Sequence, residues 1–127
     1  MIPRMDLTWL LASSLLLSGC MYLVKTKADL QRQPPSRTGE YDSNYQQLAK
    51  CSDDHGEPIS IDFQRKNVTT VYPELGRAEM YAGVFLLVFE RLDDARTKVS
   101  AFRHGASMSV VDRYFDVLEK CSRGELG

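Results

Sequence analysis

The sequence predicts an α+β fold, a two-layer sandwich in which two helices pack on one face of an antiparallel four-stranded sheet. The expected element order is α-β-β-β-β-α. Three observations favour it. Apolar residues recur at helical spacing near both ends of residues 43–127, period-two alternation with turn residues fills the centre, and one cysteine falls at the carboxyl end of each helical pattern.

The first helix is predicted to start at Ser43, because residues 43–46 read S-N-Y-Q and match a capping box, in which Ser and Gln side chains bond the first backbone amides. The helical spacing that follows is carried by Tyr45, Leu48 and Cys51. Gly56 and Pro58 indicate the end of this helix, since glycine favours a helix stop and proline lacks an amide hydrogen.

Four strands are expected between the helices. The second and third expected strands are separated by a break at residues 73–76, and the third contains a continuous apolar run, which is typical of a central strand buried on both faces but also of a buried helix. A dimer partner, a bound ligand or a concave sheet would then have to cover its second face, which we expect to be a contact surface. The expected strands are 59–63, 68–72, 84–89 and 97–103.

The second helix is predicted with Ser109 as its cap and Asp112 in its first turn, where a negative charge favours the amino end of a helix. Gly124 supplies a stop. The apolar stripe of this helix consists of Val111, Tyr114, Phe115, Leu118 and Cys121.

The start of the chain has the pattern of a secretory leader. Arg4 precedes an apolar run of eleven residues, Leu7 to Leu17, which is shorter than the roughly 20 residues of a membrane-spanning helix. Residues 17–20 read Leu-Ser-Gly-Cys and resemble the lipobox of bacterial lipoprotein signal peptides. An ordinary cleaved signal peptide and an amphipathic amino-terminal helix are the alternatives.

The resemblance implies that residues 1–19 are removed and that Cys20 carries a lipid thioether, with a further amide-linked fatty acyl chain such as palmitate, which together make membrane anchoring stable. In lipoproteins an aspartate after the lipidated cysteine marks retention in the inner membrane. Met21 occupies that position here, so the resemblance favours the outer membrane, with the domain facing the periplasm. The inner membrane and the cell surface stay open.

The expected organisation is therefore a signal peptide over residues 1–19, a lipidated cysteine with a flexible tether over residues 20–42, and a globular domain over residues 43–127. Pro34 and Pro35 favour an extended tether. With Cys20 carrying lipid, Cys51 and Cys121 remain on the apolar sides of the two helices, and we predict a disulfide between them, with two buried free thiols as the alternative.

The composition and motifs give little support for catalysis. The formal net charge of −1 provides no basic patch for nucleic acid. Asp53, Asp54, His55 and Glu57 form the densest group of potential metal ligands, but adjacent loop residues rarely converge on one ion. His104 lacks a nucleophile beside it, apart from serines that a helix cap explains. We predict no catalytic, cofactor or metal site and no enzyme activity.

The predicted function is that of a non-enzymatic envelope lipoprotein whose small periplasmic domain binds another envelope component, either a protein partner or peptidoglycan. One alternative is an inhibitor of a periplasmic or host hydrolase, acting through the loop from Val71 to Arg77. Another is a carrier of a lipid or small ligand in a cleft lined by aromatic side chains.

Overall fold

The computed structural model describes residues 26–62 and 67–126. A single antiparallel sheet forms its centre, and helices lie on both faces. The elements in chain order are α1 (Lys27–Gln31), β1 (Arg37–Tyr41), α2 (Tyr45–Asp62), β2 (Val68–Tyr72), a 3-10 turn (Pro73–Leu75), β3 (Arg77–Tyr81), β4 (Phe85–Asp93), β5 (Arg96–Arg103) and α3 (Met108–Ser122).

The sheet has five strands in the order β1-β5-β4-β3-β2, and every neighbouring pair is antiparallel. The α+β class and the antiparallel sheet are confirmed, but the prediction of four strands is wrong. Strands β2, β4 and β5 match three of the expected strands, whereas β1 and β3 were not predicted. Strand β1 pairs with β5, from Arg37 opposite Ala101 to Tyr41 opposite Thr97.

Residues 26–42, which were expected to belong to a flexible tether, contain α1 and β1. The boundary at residue 43 therefore cuts through the folded part. Sequence periodicity gave no strand signal here because the inward positions of β1 hold Arg37, Gly39 and Tyr41, of which only the tyrosine is apolar. Residues 1–25, with the leader and Cys20, lie outside the described residues, so the lipobox and lipidation stay predictions.

Helix α2 runs through Gly56 and Pro58 and ends at Asp62, so the expected strand at residues 59–63 is wrong over its described part. Residue 63 lies outside the described residues. The helix persists because one side of it is buried from Tyr45 to Ile59, and two of the buried residues are a serine and a glycine that hydropathy does not mark as core. The buried residues of this side are Tyr45, Leu48, Ala49, Ser52, Gly56 and Ile59.

The helix starts also differ from the predictions by one or two residues. The Oδ1 atom of Asn44 accepts hydrogen bonds from the amides of Gln46 and Gln47, at 3.0 and 3.3 Å, so Asn44 rather than Ser43 caps α2. Ser107, not Ser109, is the cap residue of α3, and its hydroxyl lies 2.7 Å from that of Ser109.

The inner face of the sheet carries the main core, covered by α2 and α3. Phe85 stacks on Tyr114 with ring centroids 5.0 Å apart, in the middle of this layer. Cys51 of α2 and Cys121 of α3 form a disulfide with a Cα–Cα distance of 6.0 Å, which confirms the predicted bridge. The sheet residues of this core are Ala78, Met80, Phe85, Leu87, Phe89, Val99 and Ala101.

The outer face of the sheet carries a second, smaller core, covered by α1. Leu30 is fully buried against Leu86, Val88 and Phe102. Residues 86 and 88 belong to the apolar run that was expected to need a dimer partner or a ligand. The cover comes from the chain itself, so the expectation of an exposed contact surface on this strand is wrong.

Candidate functional site

An open groove of about 500 Å³ lies between β1 and the carboxyl half of α3. Phe115 forms its floor, with the Arg37 guanidinium 4.4 Å from the centre of its ring. The same guanidinium forms an ion pair with Asp112 at 3.0 Å, and the Tyr41 ring lies 6.4 Å from that of Phe115. The buried Phe115, the half-buried Tyr41 and an arginine held by an ion pair therefore meet at this groove.

Gly39 allows the Tyr41 ring to fold back along β1. A Cβ atom at position 39 would lie 2.9 Å from the Tyr41 hydroxyl and 3.1 Å from a ring carbon, so a larger residue would push the ring away from the strand. Burial raises the pKa of the Tyr41 phenol, and the nearby Arg37 only partly opposes that effect. The Tyr41 phenol therefore keeps its proton and carries no charge at neutral pH.

The rim of the groove is charged with both signs. Glu119 of α3 forms an ion pair at 2.9 Å with Arg123, the residue that follows the helix. Glu40 is exposed on β1. Among the described residues, β1 pairs with β5 alone. Its other edge thus presents backbone amides and carbonyls beside the groove, which is the arrangement used to bind an extended peptide as an added strand.

The opposite edge of the sheet, β2, has a different character. Val68 is 55% exposed and Val71 is 40% exposed, and no residue of this strand is charged. The 3-10 turn that follows β2 exposes 68% of Leu75. This edge is apolar where the β1 edge is charged.

The predicted group of potential metal ligands lies within α2 rather than in a loop. Asp54 and His55 border a surface cavity of about 470 Å³ beside the Cys51–Cys121 bridge, together with Lys50. In residues 26–62 and 67–126, no three His, Cys, Asp or Glu side chains are grouped so that they could hold a metal ion. The side chain of Glu57 lies outside the described residues.

His104 lies in the exposed turn between β5 and α3, where its amide donates to the carbonyl of Val84 at 2.8 Å. The hydroxyls of Ser107 and Ser109 contact each other. Neither the acidic residues of α2 nor His104, which were considered as metal ligands and as a general base, lines the β1–α3 groove. Sequence reasoning missed the groove because it depends on β1, which had been assigned to the tether.

No protein-family model, no curated protein and no solved structure matches this chain. Within the part of the chain that the structure describes, none of the helices has the length and apolarity needed to cross a membrane.

Proposed function

We propose that this protein is a non-enzymatic lipoprotein of the bacterial envelope, anchored through Cys20, and that it binds an extended segment of another envelope protein. The observation that carries the proposal is the open β1 edge, which runs along a groove with an aromatic floor.

The binding mode follows from the geometry of the groove. A peptide strand added to β1 forms hydrogen bonds with the backbone, which give affinity without selecting a sequence. Every second side chain of that peptide points towards α3, where the half-buried Tyr41 offers apolar contact and Glu119 and Arg123 offer charges of both signs. The preferred ligand is thus a segment in which apolar residues alternate with polar ones.

The proposed anchor keeps the domain close to the lipid. Cys20 precedes Thr26, the first described residue, by six positions. A fully extended chain spans at most about 3.5 Å per residue, so this connection reaches about 20 Å. Confinement to such a shell raises the effective concentration of a membrane-bound partner without any additional contact.

The inhibitor alternative retains one supporting observation, the exposed Leu75 at the tip of a well-held turn. The amide of Gly76 donates to the carbonyl of Pro73 at 3.1 Å, and the amide of Arg91 donates to the carbonyl of Gly76 at 2.8 Å. Leu75→Asp tests this alternative, since it would abolish inhibition of a hydrolase but leave the β1–α3 groove unchanged.

The main experiment is photo-crosslinking in the native envelope. A photoreactive amino acid at Thr38, exposed on β1, should form an adduct with a defined envelope protein, and the same group at Glu90, exposed on β4, should not. Ser122→Trp, which fills the groove from α3, should remove the Thr38 adduct. Equal adducts at both positions, or none at Thr38, would overturn the groove proposal.

The anchor is tested separately by the intact mass of the protein purified from its membrane. A chain that begins at Cys20 and carries a lipid-sized increment supports the proposal. An unlipidated full-length chain contradicts it.

A further inference from the structure

Within its own residues, strand β2 lacks the charges, prolines and bulges that often protect the edge of a sheet. Natural edge strands avoid pairing with other chains by means of charged residues, prolines or bulges. Residues 68–72 read V-T-T-V-Y, with no charged residue and no proline. Their pairing with β3 contains no bulge. Val68 and Val71 are exposed on this strand.

The sequence of β2 is complementary to itself. When two copies pair antiparallel about a two-fold axis at Thr70, Thr70 faces Thr70 of the second copy, Val68 faces Tyr72, and Thr69 faces Val71. Aromatic with β-branched and threonine with threonine are favourable cross-strand pairs, and no pair in this register opposes like charges. Each pair also joins residues from the same face of the sheet, because the two positions in a pair differ by an even number.

The position of α1 favours this arrangement for anchored chains. Lys27 lies on the outer face beside β2, since its Nζ atom is 6.0 Å from the ring centre of Tyr81, and Tyr81 is the partner of Val68 in the sheet. A two-fold axis perpendicular to the sheet keeps both outer faces on one side. The two α1 helices, each of which follows Cys20 by seven residues in the sequence, then lie on the same side, so both can face a single membrane leaflet.

We propose that two copies of this protein pair through β2 about a two-fold axis at Thr70 and form a continuous ten-stranded sheet on the membrane. The orientation argument rests on the lipid anchor of the proposed function. The two β1 strands become the outer edges of this sheet, so each dimer presents two β1–α3 grooves.

The dimer depends on the membrane. One pair of five-residue strands buries much less than the ~1,000 Å² expected of an interface that is stable in solution. Confinement of both copies to one leaflet supplies the effective concentration that the small contact lacks. We therefore expect dissociation when the chain is diluted in detergent.

Cysteine scanning of the full chain in its native membrane tests the register. Thr70→Cys should form a disulfide-linked dimer, because opposite Cα atoms in an antiparallel pair are about 4.5–5.5 Å apart. Val68→Cys and Tyr72→Cys should each fail alone, because their copies are offset by four residues, or about 13 Å. Co-expression of these two variants should yield the mixed dimer.

Thr38→Cys on β1 is the matched control on the other edge and should remain monomeric. Equal crosslinking at positions 38, 68 and 70 would indicate random collision and overturn the proposal. Transfer of the Thr70→Cys chain to detergent at micromolar concentration should lower crosslinking at least tenfold.

A charge exchange tests the axis independently. With Val68→Cys and Tyr72→Cys as reporters, Thr70→Lys on both chains or Thr70→Glu on both chains should abolish the mixed dimer, and Thr70→Lys paired with Thr70→Glu should restore it. If Thr70→Cys never crosslinks while Cys20 carries lipid and the Thr38 adduct persists, the dimer is wrong and the proposed function stands.

Discussion

The two faces of the sheet are covered in different ways, although β4 contributes almost fully buried residues to both. Phe85 and Leu87 point to the inner face, where the long helices α2 and α3 lie, and Leu86 and Val88 point to the outer face. The outer cover is α1, a helix of five residues with one buried apolar side chain, Leu30. A sheet can thus be closed on one face by two long helices and on the other by a short segment of five residues.

Polar contacts compensate for the small apolar area of the outer cover. Glu79 is only 7% exposed and forms ion pairs with Lys27 at 3.3 Å and with Arg77 at 2.9 Å. Arg77 also donates a hydrogen bond to Gln31. Because the buried carboxylate has a partner on either side, α1 is held to β3 at both of its ends.

The largest effect is expected from the bridge that fixes the inner cover. The double variant Cys51→Ala with Cys121→Ala should lower the free energy of unfolding by about 4 kcal/mol, since the bridge closes a loop of 70 residues. Chemical denaturation of the purified full chain, followed by circular dichroism, measures the loss. Wild type in reductant should show a comparable shift, and a loss below about 1 kcal/mol in both would mean that α3 docks without the bridge.

On the outer face, Leu30→Ala should cost about 2–3 kcal/mol, because it removes a fully buried side chain and leaves Leu86, Val88 and Phe102 partly uncovered. The released segment should also be cut faster by trypsin at Lys27 and Arg32. Ala28→Ser changes an exposed position of the same helix and serves as the control. Unchanged proteolysis in Leu30→Ala would show that polar contacts alone hold α1.

A smaller loss is expected from Gly56→Ala in α2, about 1–3 kcal/mol. Helix propensity alone favours alanine over glycine by about 1 kcal/mol inside a helix. The added Cβ would overlap the Tyr114 ring, whose hydroxyl lies 3.2 Å from the Gly56 carbonyl, so crowding outweighs propensity. The midpoint of denaturation shows whether the variant is less or more stable than the wild type. A gain in stability would show that the Tyr114 ring moves aside at little energetic cost.

The difference between the faces also explains which parts of the fold could be predicted. Helix α3 carries an amphipathic stripe of large side chains, and the disulfide follows from cysteines on two such stripes. These features lie on the inner face, where large apolar residues mark the buried positions.

The parts that could not be predicted rely on small or polar residues. Ser52 and Gly56 are buried in α2 because close packing against the sheet and α3 needs small side chains. In the sequence, small and polar residues of this kind predict the end of a helix. Strand β1 packs through Arg37 and Tyr41 against Phe115, which lies about 75 residues later in the chain. The candidate groove depends on the same long-range contact, because β1 forms one of its walls and α3 forms the other.

The smallest expected effect concerns the ion pair that fixes the start of α1. Burial is the largest single influence on Lys27 and lowers its pKa, but the hydrogen bonds and charges of Glu79 and Tyr72 together outweigh it, so the pKa of Lys27 is raised above 10.5. A raised pKa in the folded state means that the stabilisation is complete below pH 10.5 and is lost as the pH rises through the higher folded value.

Lys27→Met keeps most of the aliphatic stem and removes the charge. Since this side chain is 35% exposed, solvent screening keeps the loss below about 1 kcal/mol near pH 8. Denaturation curves should show that the wild type is more stable than the variant at pH 8. This difference in the free energy of unfolding should shrink at pH 11.5, because the Lys27 ammonium loses its proton in the alkaline range. Lys50→Met, at an exposed position of α2, is the matched control for removal of a lysine charge. If the Lys27 difference persists unchanged at pH 11.5, the charge on Lys27 is not what holds the start of α1 against the outer face.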